Sequence, residues 1–250
     1  MFGYDAPTLA LISVAIFLGG MVKGVSGIGL PIVTIAIVTN VVSAPVALAI
    51  VVCPILVTNL WQASRADNFF APVRTFAPMI ICFIGAMVIT AHFVVNLDPD
   101  ALFGVLGVCV SLFTLSSLIR PPAHPLSPAT RRWAAPLAGT LGGILGGVST
   151  IWGPPMMMYL MMLNLTKDTW VRVVGLIWFF GAVPLTLSYL ANGILNEQTL
   201  PLSLYACFPG MIGIIVGEKI RQYIDQATFR KVLLLSLFAI GLNLIRRAIF

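Results

Sequence analysis

Two long apolar runs of this sequence, residues 7–40 and 133–163, are interrupted in the middle by the same pattern of glycine and proline. Residues 18–31 and 141–154 align without a gap, and eight of the fourteen positions are identical. Their shared frame is Leu-Gly-Gly-x-x-x-Gly-Val-Ser-x-Ile-x-x-Pro. Because glycine and proline break helices, we expect neither run to form one uninterrupted helix. Helix breaks at matching positions of two halves are typical of a transporter's binding site.

The low charge content indicates a membrane protein. Of the 250 residues, 59% are hydrophobic and only 9% are charged, whereas about 25% of the residues in an ordinary soluble domain are charged. A bilayer core needs about 20 apolar residues per helix. Six further runs fit one crossing each: 44–63, 75–95, 100–119, 170–190, 200–217 and 229–247. We therefore expect an all-α, multi-pass protein in contact with the lipid bilayer. The net charge of +6 comes from short loops, so no nucleic-acid partner is expected.

The basic residues predict the order of the crossings, because Lys and Arg collect in cytoplasmic loops. Eleven of them lie in connections that we place inside: Arg65, Arg74, Arg120, Arg131, Arg132, Lys167, Arg172, Lys219, Arg221, Arg230 and Lys231. The connections 96–99 and 191–199 carry none, and we place them outside. Run 133–163 then starts and ends inside, so it must turn back as a re-entrant hairpin or as two short helices. Run 7–40 is expected to do the same from the outside.

Each half of the chain thus contains one broken Gly-Pro hairpin and three transmembrane helices. Since three crossings reverse the orientation, the halves form two inverted-topology repeats, which is a common transporter plan. The predicted organisation is a first membrane repeat at 1–119, a Pro-rich cytoplasmic linker at 120–132 and a second membrane repeat at 133–250. Together they form one integral membrane domain.

The two breaks are predicted to line a substrate site. Non-helical backbone at membrane depth is tolerated only where it is buried in protein or lines a wet cavity. A helix that restarts after such a break presents unpaired N–H groups and a positive dipole end, which favour an anion. The candidate substrate-binding residues are Lys23, Gly24, Ser26, Gly27, Gly29 and Pro31 in the first copy, and Gly147, Ser149, Thr150, Trp152, Gly153 and Pro154 in the second.

Lys23 indicates the charge of the ligand. It lies well inside an apolar run, where a lysine costs roughly 2.5–3.5 kcal/mol on insertion scales, so an intramembrane charge suggests a functional site. The alternative is that Lys23 extends to an interface. All eight acidic residues fall in loops or at the ends of runs, which argues against a carboxylate proton relay and a cation site. No enzyme activity, metal or cofactor is expected, since no catalytic, metal-ligand or nucleotide motif is present.

Several residues have a structural interpretation beside the functional one. Small residues spaced four apart let transmembrane helices pack closely, which would explain Gly19, Gly20, Gly139, Gly142 and Gly143. Asn59, Trp61 and Gln62 end an apolar run and are interpreted as interfacial anchors. The methionines between Met156 and Met162 are interpreted as packing residues.

The sequence resembles the sulfite exporter TauE/SafE family of integral membrane proteins over nearly its whole length. The similarity rests on Gly20-x-x-x-Gly24-x-x-Gly27-x-Gly29-x-Pro31 and on Gly143-x-x-x-Gly147-x-x-x-x-x-Gly153-Pro154-Pro155. Lys167-x-x-x-x-Arg172, which precedes a helix, is also similar to the family. The resemblance implies a carrier of the cell inner membrane for small sulfur-containing anions such as sulfite or a sulfonate.

Three functional hypotheses remain at this point. The first is a secondary transporter that moves a small sulfur oxyanion by alternating access between inverted halves. The second is an anion channel, which the same motifs allow. The third is a non-transporting membrane anchor subunit of a complex, which would need neither matched helix breaks nor a buried Lys23. The sequence allows a homo-oligomer without requiring one.

Overall fold

The computed structural model describes residues 4–65, 70–93, 99–119, 126–149 and 152–249. Within these ranges the chain forms ten α-helices and no β-strand. The helices are α1 (Ala6–Ser26), α2 (Leu30–Val38), α3 (Ala44–Ser64), α4 (Phe70–Phe93), α5 (Pro99–Ile119), α6 (Pro128–Ser149), α7 (Gly153–Met162), α8 (Lys167–Ala191), α9 (Leu200–Tyr223) and α10 (Gln226–Ile249). The prediction of an all-helical protein is confirmed for the described residues.

The lengths of the helices fit a multi-pass membrane protein. Six of the described helices are long and apolar enough to cross a bilayer, namely α1, α3, α4, α8, α9 and α10. Helices α3, α4, α5, α8, α9 and α10 coincide with the six predicted single crossings, which confirms their positions. The described apolar part of α5 is Gly107–Ile119, which is shorter than a full crossing.

Both interrupted runs are broken at the predicted place, but their two arms differ in length. Helices α1 and α6 contain 21 and 22 residues, whereas α2 and α7 contain 9 and 10. At 1.5 Å per residue, α1 is about 31 Å long and α2 only about 14 Å. The two helices of each interrupted run are therefore unequal, because the helix break itself lies towards the C-terminal end of the run. The structure has a long first arm followed by a short return.

Local capping fixes where the first arms begin. Asp5 caps α1 by accepting a hydrogen bond from the Thr8 N–H at 3.3 Å. Hydrogen bonds from the Thr8 side chain and backbone hold the pKa of the Asp5 carboxyl below its usual value. Helix α6 begins inside the predicted linker, where the Ser127 hydroxyl accepts from the Thr130 N–H at 3.1 Å. In both helices a side-chain oxygen thus accepts a hydrogen bond from a backbone N–H of the first turn, as is usual for N-cap residues.

The helices form two compact units that do not follow the chain halves. Unit 1 comprises Met1–Phe69 and Lys167–Asp225, and unit 2 comprises Phe70–Thr166 and Gln226–Phe250. Unit 1 therefore contains α1, α2, α3, α8 and α9, while unit 2 contains α4, α5, α6, α7 and α10. Each unit contains one broken hairpin and draws helices from both predicted repeats.

In unit 1, α1 packs closely along α9 and in the same direction. A Cβ atom on Gly20 would lie 2.4 Å from the Gly210 carbonyl oxygen, and one on Gly24 would lie 2.4 Å from that of Ile214. Helix α2 turns back along α1, and its Thr34 hydroxyl donates to the Ala15 carbonyl at 3.4 Å. Run 7–40 therefore ends beside its own beginning, as the hairpin prediction required.

Helix α3 completes unit 1 by packing on both α8 and α9. It is parallel to α9, where the Ser203 hydroxyl accepts from the Cys53 N–H at 3.1 Å and donates to the Ile50 carbonyl at 3.2 Å. It is antiparallel to α8, since its last turns lie against Gly175 and its middle packs with Tyr189. The core of the unit is apolar, with Ile12, Ile16, Leu30, Ile50 and Leu202 all buried.

In unit 2, α6 packs along α4 in the same way as α1 packs along α9. A Cβ atom on Gly139 would lie 2.2 Å from the Met79 carbonyl oxygen, and one on Gly143 would lie 2.4 Å from that of Phe83. The packing interpretation of these glycines is therefore confirmed, as it is for Gly20. Helix α5 is antiparallel to α10, with Gly107 against Ile245.

The helix pairs follow a simple rule when they are assigned to the predicted repeats. The first arm of each hairpin packs on the second crossing of the other repeat, as α1 does on α9 and α6 on α4. First crossings pair with each other as α3 and α8, and third crossings pair as α5 and α10. The helices are parallel in the pairs α1–α9 and α6–α4, and antiparallel in the pairs α3–α8 and α5–α10.

Candidate functional site

The break between α1 and α2 is built from two glycines with left-handed backbone. Gly27 has φ 87° and Gly29 has φ 104°, a conformation that residues with a Cβ atom rarely adopt. The Gly27 N–H donates to the Lys23 carbonyl at 2.7 Å and ends α1. Pro31 lies in the first turn of α2, where the missing N–H of proline costs no helical hydrogen bond. The predicted break thus has the predicted residues in chemically suitable positions.

Side chains of three other helices bind the last carbonyl groups of α1. The Gln62 amide of α3 donates to the Lys23 carbonyl at 3.2 Å. The Arg221 guanidinium of α9 donates to the Gly24 carbonyl at 2.5 Å. The Trp170 indole of α8 donates to the Ser26 carbonyl at 3.0 Å. Since the final carbonyls of a helix have no partner in the helix itself, these donors stabilise the end of α1.

Lys23 lies on the last turn of α1 and is buried, with 2% of its surface exposed. Its ammonium group donates to the Oδ1 atom of Asn59 on α3. Among the residues that the structure describes, no carboxylate forms an ion pair with it. The alternative in which Lys23 extends to an interface is therefore wrong. The site holds a basic side chain whose partner is a neutral amide.

Asn59 and Gln62 have buried polar atoms without a partner in the described part of the chain. They are 0% and 1% exposed, so their interpretation as interfacial anchors is wrong. The Asn59 Nδ2 and Gln62 Oε1 atoms make no hydrogen bond, although buried polar groups are normally bonded. Asn59 thus has two amide N–H donors next to the Lys23 ammonium. This combination of donors suits an anion.

Trp61 differs from these two neighbours on α3. Its ring lies under the Arg65 guanidinium, whose Cζ atom is 4.2 Å from the ring centroid. The contact is at the end of the helix, where aromatic and basic side chains are common at a membrane surface. The Trp61 Nε1 atom is nevertheless buried and, like the amide atoms of Asn59 and Gln62, has no hydrogen-bond partner among the described residues.

Arg221 is a site residue that sequence reasoning placed in a cytoplasmic connection. It is 9% exposed, and its Nε atom donates to an oxygen of Asp168 at 3.1 Å. A signal for its burial was present, because Gly213, Gly217 and Arg221 recur every fourth residue on one face of α9. The two glycines of that face contact the α1 backbone, so the arginine at the next turn also faces α1.

The other first-copy candidates mainly shape the break. The Ser26 hydroxyl lies 2.9 Å from both the Val22 and the Ile28 carbonyl oxygens and accepts from the Ile28 N–H at 3.3 Å. Gly24 packs against the α9 backbone at Ile214 and Gly217. Both residues therefore position Lys23, which is the charged group of the first copy.

The second break, between α6 and α7, lies in unit 2, and its described part is apolar. Trp152 precedes α7, and its ring packs 6.0 Å from that of Phe83, centroid to centroid. Gly153 is the first residue of α7, and Pro154 is buried in its first turn. Thr150 lies outside the described residues, as do the side-chain surroundings of Gly147 and Ser149. The last turn of α6 carries no basic residue.

The described residues contain no group of three or more His, Cys, Asp or Glu side chains that could hold a metal ion. At the first break the Lys23 side chain and the Asn59 amide N–H groups are donors, which do not coordinate cations. A lysine side chain beside free amide N–H donors, in an all-helical membrane protein, is suitable for binding an anion that is transported.

A scan against protein-family models matched the sulfite exporter TauE/SafE model over residues 12–244. The chain belongs to the sulfite exporter TauE/SafE family. A search of curated proteins found no match, and neither did a search of solved structures. The resemblance carried by the two glycine frames is thereby confirmed. The members of this family are membrane transporters rather than enzymes. The chain is therefore a multi-pass membrane transporter.

Proposed function

We propose that this TauE/SafE protein is a secondary transporter that moves a small sulfur-containing anion, such as sulfite or a sulfonate, across the cell inner membrane. The observation that carries the proposal is the buried Lys23 ammonium beside the unpaired amide group of Asn59. Burying a charge without a counter-charge is costly. A bound anion would offset that cost and would accept the free hydrogen bonds of Asn59.

A sulfur oxyanion suits these donors because several oxygen atoms share its negative charge. One oxygen can bind the ammonium while another accepts from the amide, and charge-assisted hydrogen bonds of this kind are the stronger ones. The name of the family supports the same class of ligand. Asn59 is therefore added to the proposed substrate contacts.

The proposed contacts keep both copies of the frame. Lys23 and Asn59 bind the anion directly, while Gly24, Ser26, Gly27, Gly29 and Pro31 shape the first break. The proposed second-copy contacts are Gly147, Ser149, Thr150, Trp152, Gly153 and Pro154. They contribute backbone, hydroxyl and aromatic groups rather than charge.

The transport cycle is proposed to be alternating access between inverted-topology repeats at 1–119 and 133–250, joined by the linker 120–132. The helix contacts support this organisation, because the first arm of each hairpin packs on the second crossing of the other repeat: α1 packs on α9, and α6 packs on α4. The burial of Lys23 favours a carrier over a channel, because a channel needs a continuous open path to its ion site.

Ligand binding and counterflow test the proposal. Sulfite or methanesulfonate should raise the melting temperature of the purified protein more than chloride does, since a ligand that is present at 100 times its Kd stabilises the folded form by about 2.7 kcal/mol. In liposomes, unlabelled substrate on the far side should accelerate uptake of labelled substrate. A channel would transport without this acceleration, and an anchor subunit would give neither result.

Cysteine labelling tests the inverted repeats. Single cysteines at Ser127 and Asp168, in a background without the four native cysteines, should react with an impermeant reagent from the cytoplasmic side. A cysteine at Gln198 should react from the other side. All three positions are exposed. Labelling of Ser127 and Asp168 from opposite sides would overturn the hairpin topology of run 133–163.

A further inference from the structure

We propose that the protein co-transports one proton with each anion, that Lys23 carries this proton, and that the preferred substrate is a monovalent sulfonate. The inference rests on the proposed function and adds the coupling ion and the charge of the substrate. It starts from the contacts of Lys23, whose only described side-chain partner is the neutral Oδ1 atom of Asn59.

The empty carrier must return across the membrane with its site closed. A protonated Lys23 would then be a buried charge facing an amide, and an unpaired buried charge costs several kcal/mol. A neutral amine avoids this cost and still donates an N–H to the Asn59 oxygen. The empty site is therefore neutral in its closed form, and the proton remains in solution.

The loaded carrier is neutral for a different reason. A proton from water binds the lone pair of the Lys23 amine and gives an ammonium, and a monovalent anion then pairs with it. On the far side the anion leaves and the ammonium returns its proton to water. One proton and one anion cross in each cycle, and no net charge crosses with them.

The charged side chains on the neighbouring helices do not offer an alternative proton carrier. Helix α2 carries no charged residue. The others are Arg65 on α3, Lys167, Asp168 and Arg172 on α8, and Glu218, Lys219 and Arg221 on α9. Arg65 pairs with Glu218 at 3.8 Å, and Arg221 pairs with Asp168 at 3.1 Å. The two carboxylates are thus held by arginines, which keep their protons in proteins. Lys167 donates to three backbone carbonyls at the end of α9, and Lys219 is exposed. Lys23 is the buried lysine of this group, and a lysine can lose its proton when buried.

Charge balance also selects the substrate. A monovalent sulfonate neutralises the Lys23 ammonium completely, whereas the sulfite dianion would leave one negative charge in the closed site. Methanesulfonate is the appropriate probe, because it keeps a single negative charge throughout the working pH range. It cannot carry the proton itself.

Proton flux in liposomes tests the inference with the unaltered protein. A methanesulfonate gradient is imposed while potassium and valinomycin hold the membrane potential at zero, and a trapped pH dye reports protons. We expect internal acidification that matches anion uptake one for one, and no change in rate when the potential is varied. Anion uptake without acidification would overturn proton coupling. Transport of sulfite but not of methanesulfonate or ethanesulfonate would overturn the choice of substrate.

Two variants assign the proton to Lys23. Lys23→Arg keeps the charge, so exchange of internal for external methanesulfonate should continue while net uptake falls about tenfold or more. Lys23→Gln removes the charge, so any remaining uptake should lose its acidification and become dependent on the potential. Lys231→Gln, at an exposed position on α10, is the matched control and should behave like the unaltered protein. Net uptake with acidification in Lys23→Gln would overturn the role of Lys23.

Failure of this inference can be distinguished from failure of the proposed function. If no sulfur anion shifts the melting temperature or exchanges across liposomes, the proposed function is wrong. If methanesulfonate exchanges but moves without protons, only the coupling is wrong. Should Lys23→Arg fail to fold, the proton measurement on the unaltered protein and on Lys23→Gln still decides the question.

Discussion

The two helix breaks share one sequence frame but differ in the groups that surround them. At the first break, side chains of α3, α8 and α9 bind the carbonyls of α1, and Lys23 is buried with an amide. At the second break, Trp152 packs against Phe83 and against the glycines of α6. The first break is polar and carries a basic side chain, while the described part of the second is apolar.

This difference shows that the frame determines shape and that neighbouring helices determine chemistry. In both copies, glycine allows close packing of the first arm and proline begins the return helix. The charge is present in one copy only, because the position of Lys23 is occupied by Gly146 in the other. A duplicated backbone can thus support an asymmetric binding site.

The largest expected effect tests what the two copies share. Gly20→Ala and Gly143→Ala each place a Cβ atom 2.4 Å from a facing carbonyl oxygen, so each should destabilise the protein by about 3 kcal/mol. Denaturant unfolding in detergent measures the loss. Gly85→Ala is the control, since no atom lies within 4 Å of its Cβ position. A large loss at only one of the two glycines would show that the two interfaces are not equivalent.

The next effect tests what differs between the breaks. Lys23→Ala removes a charged hydrogen-bond donor and should weaken anion binding by about 2 kcal/mol, or about thirtyfold in Kd. The free energy of unfolding should change by less than about 2 kcal/mol, because removal of a buried basic group opposes the cost of the cavity that alanine leaves. Titration of binding together with unfolding separates the two properties. Lys231→Ala is the matched control, and an equal loss of binding there would remove Lys23 from the site.

A smaller effect tests the side chains that bind the end of α1. Arg221→Gln leaves the Gly24 carbonyl without its guanidinium donor and should cost about 1–2 kcal/mol of stability. Asp168→Asn removes only the partly exposed member of the ion pair and should cost about 0.5 kcal/mol. Unfolding curves of both variants give the comparison. If Asp168→Asn cost as much as Arg221→Gln, the ion pair rather than the carbonyl contact would stabilise the break.

The smallest effect concerns the second break. Trp152→Phe keeps an aromatic wall against Phe83 but removes the indole N–H. Anion affinity should therefore change by about twofold at most, which corresponds to less than 0.5 kcal/mol. Equilibrium binding of sulfite or methanesulfonate measures it. A tenfold loss would instead mean that the second copy donates a hydrogen bond to the anion.

Local features of the sequence were sufficient for the helices and for the position of both breaks. Apolar length predicts α3, α8 and α9, because the bilayer fixes how many residues a crossing needs. Glycine and proline predict the breaks, because their backbone preferences act within a few residues. Lys23 was identifiable for the same reason, since its cost depends on depth within one apolar run.

The partners of Lys23 could not be predicted in this way. Asn59 is 36 residues away and Arg221 is 197 residues from the Gly24 that it binds, so only the packing of α3 and α9 on α1 brings them together. The sequence around an amide side chain near a helix end is the same whether the side chain is buried or lies at the membrane interface, so burial of Asn59 could not be predicted. The mixing of both repeats within each compact unit also depends on which helices pack, and that choice is a property of the folded chain.

The contact of α1 with α9 has a mechanical consequence. Backbone lies directly on backbone at Gly20 and Gly24, so no side-chain rotamer can change the spacing of these two helices. Bending or separation of the two helices at this contact would leave backbone atoms without packing partners and should be costly. The segment 27–29 lies between α1 and α2, and its backbone conformations are ones that glycine adopts without strain. We therefore expect any movement of α2 during transport to change the backbone angles of this segment, while Lys23 stays in place on α1.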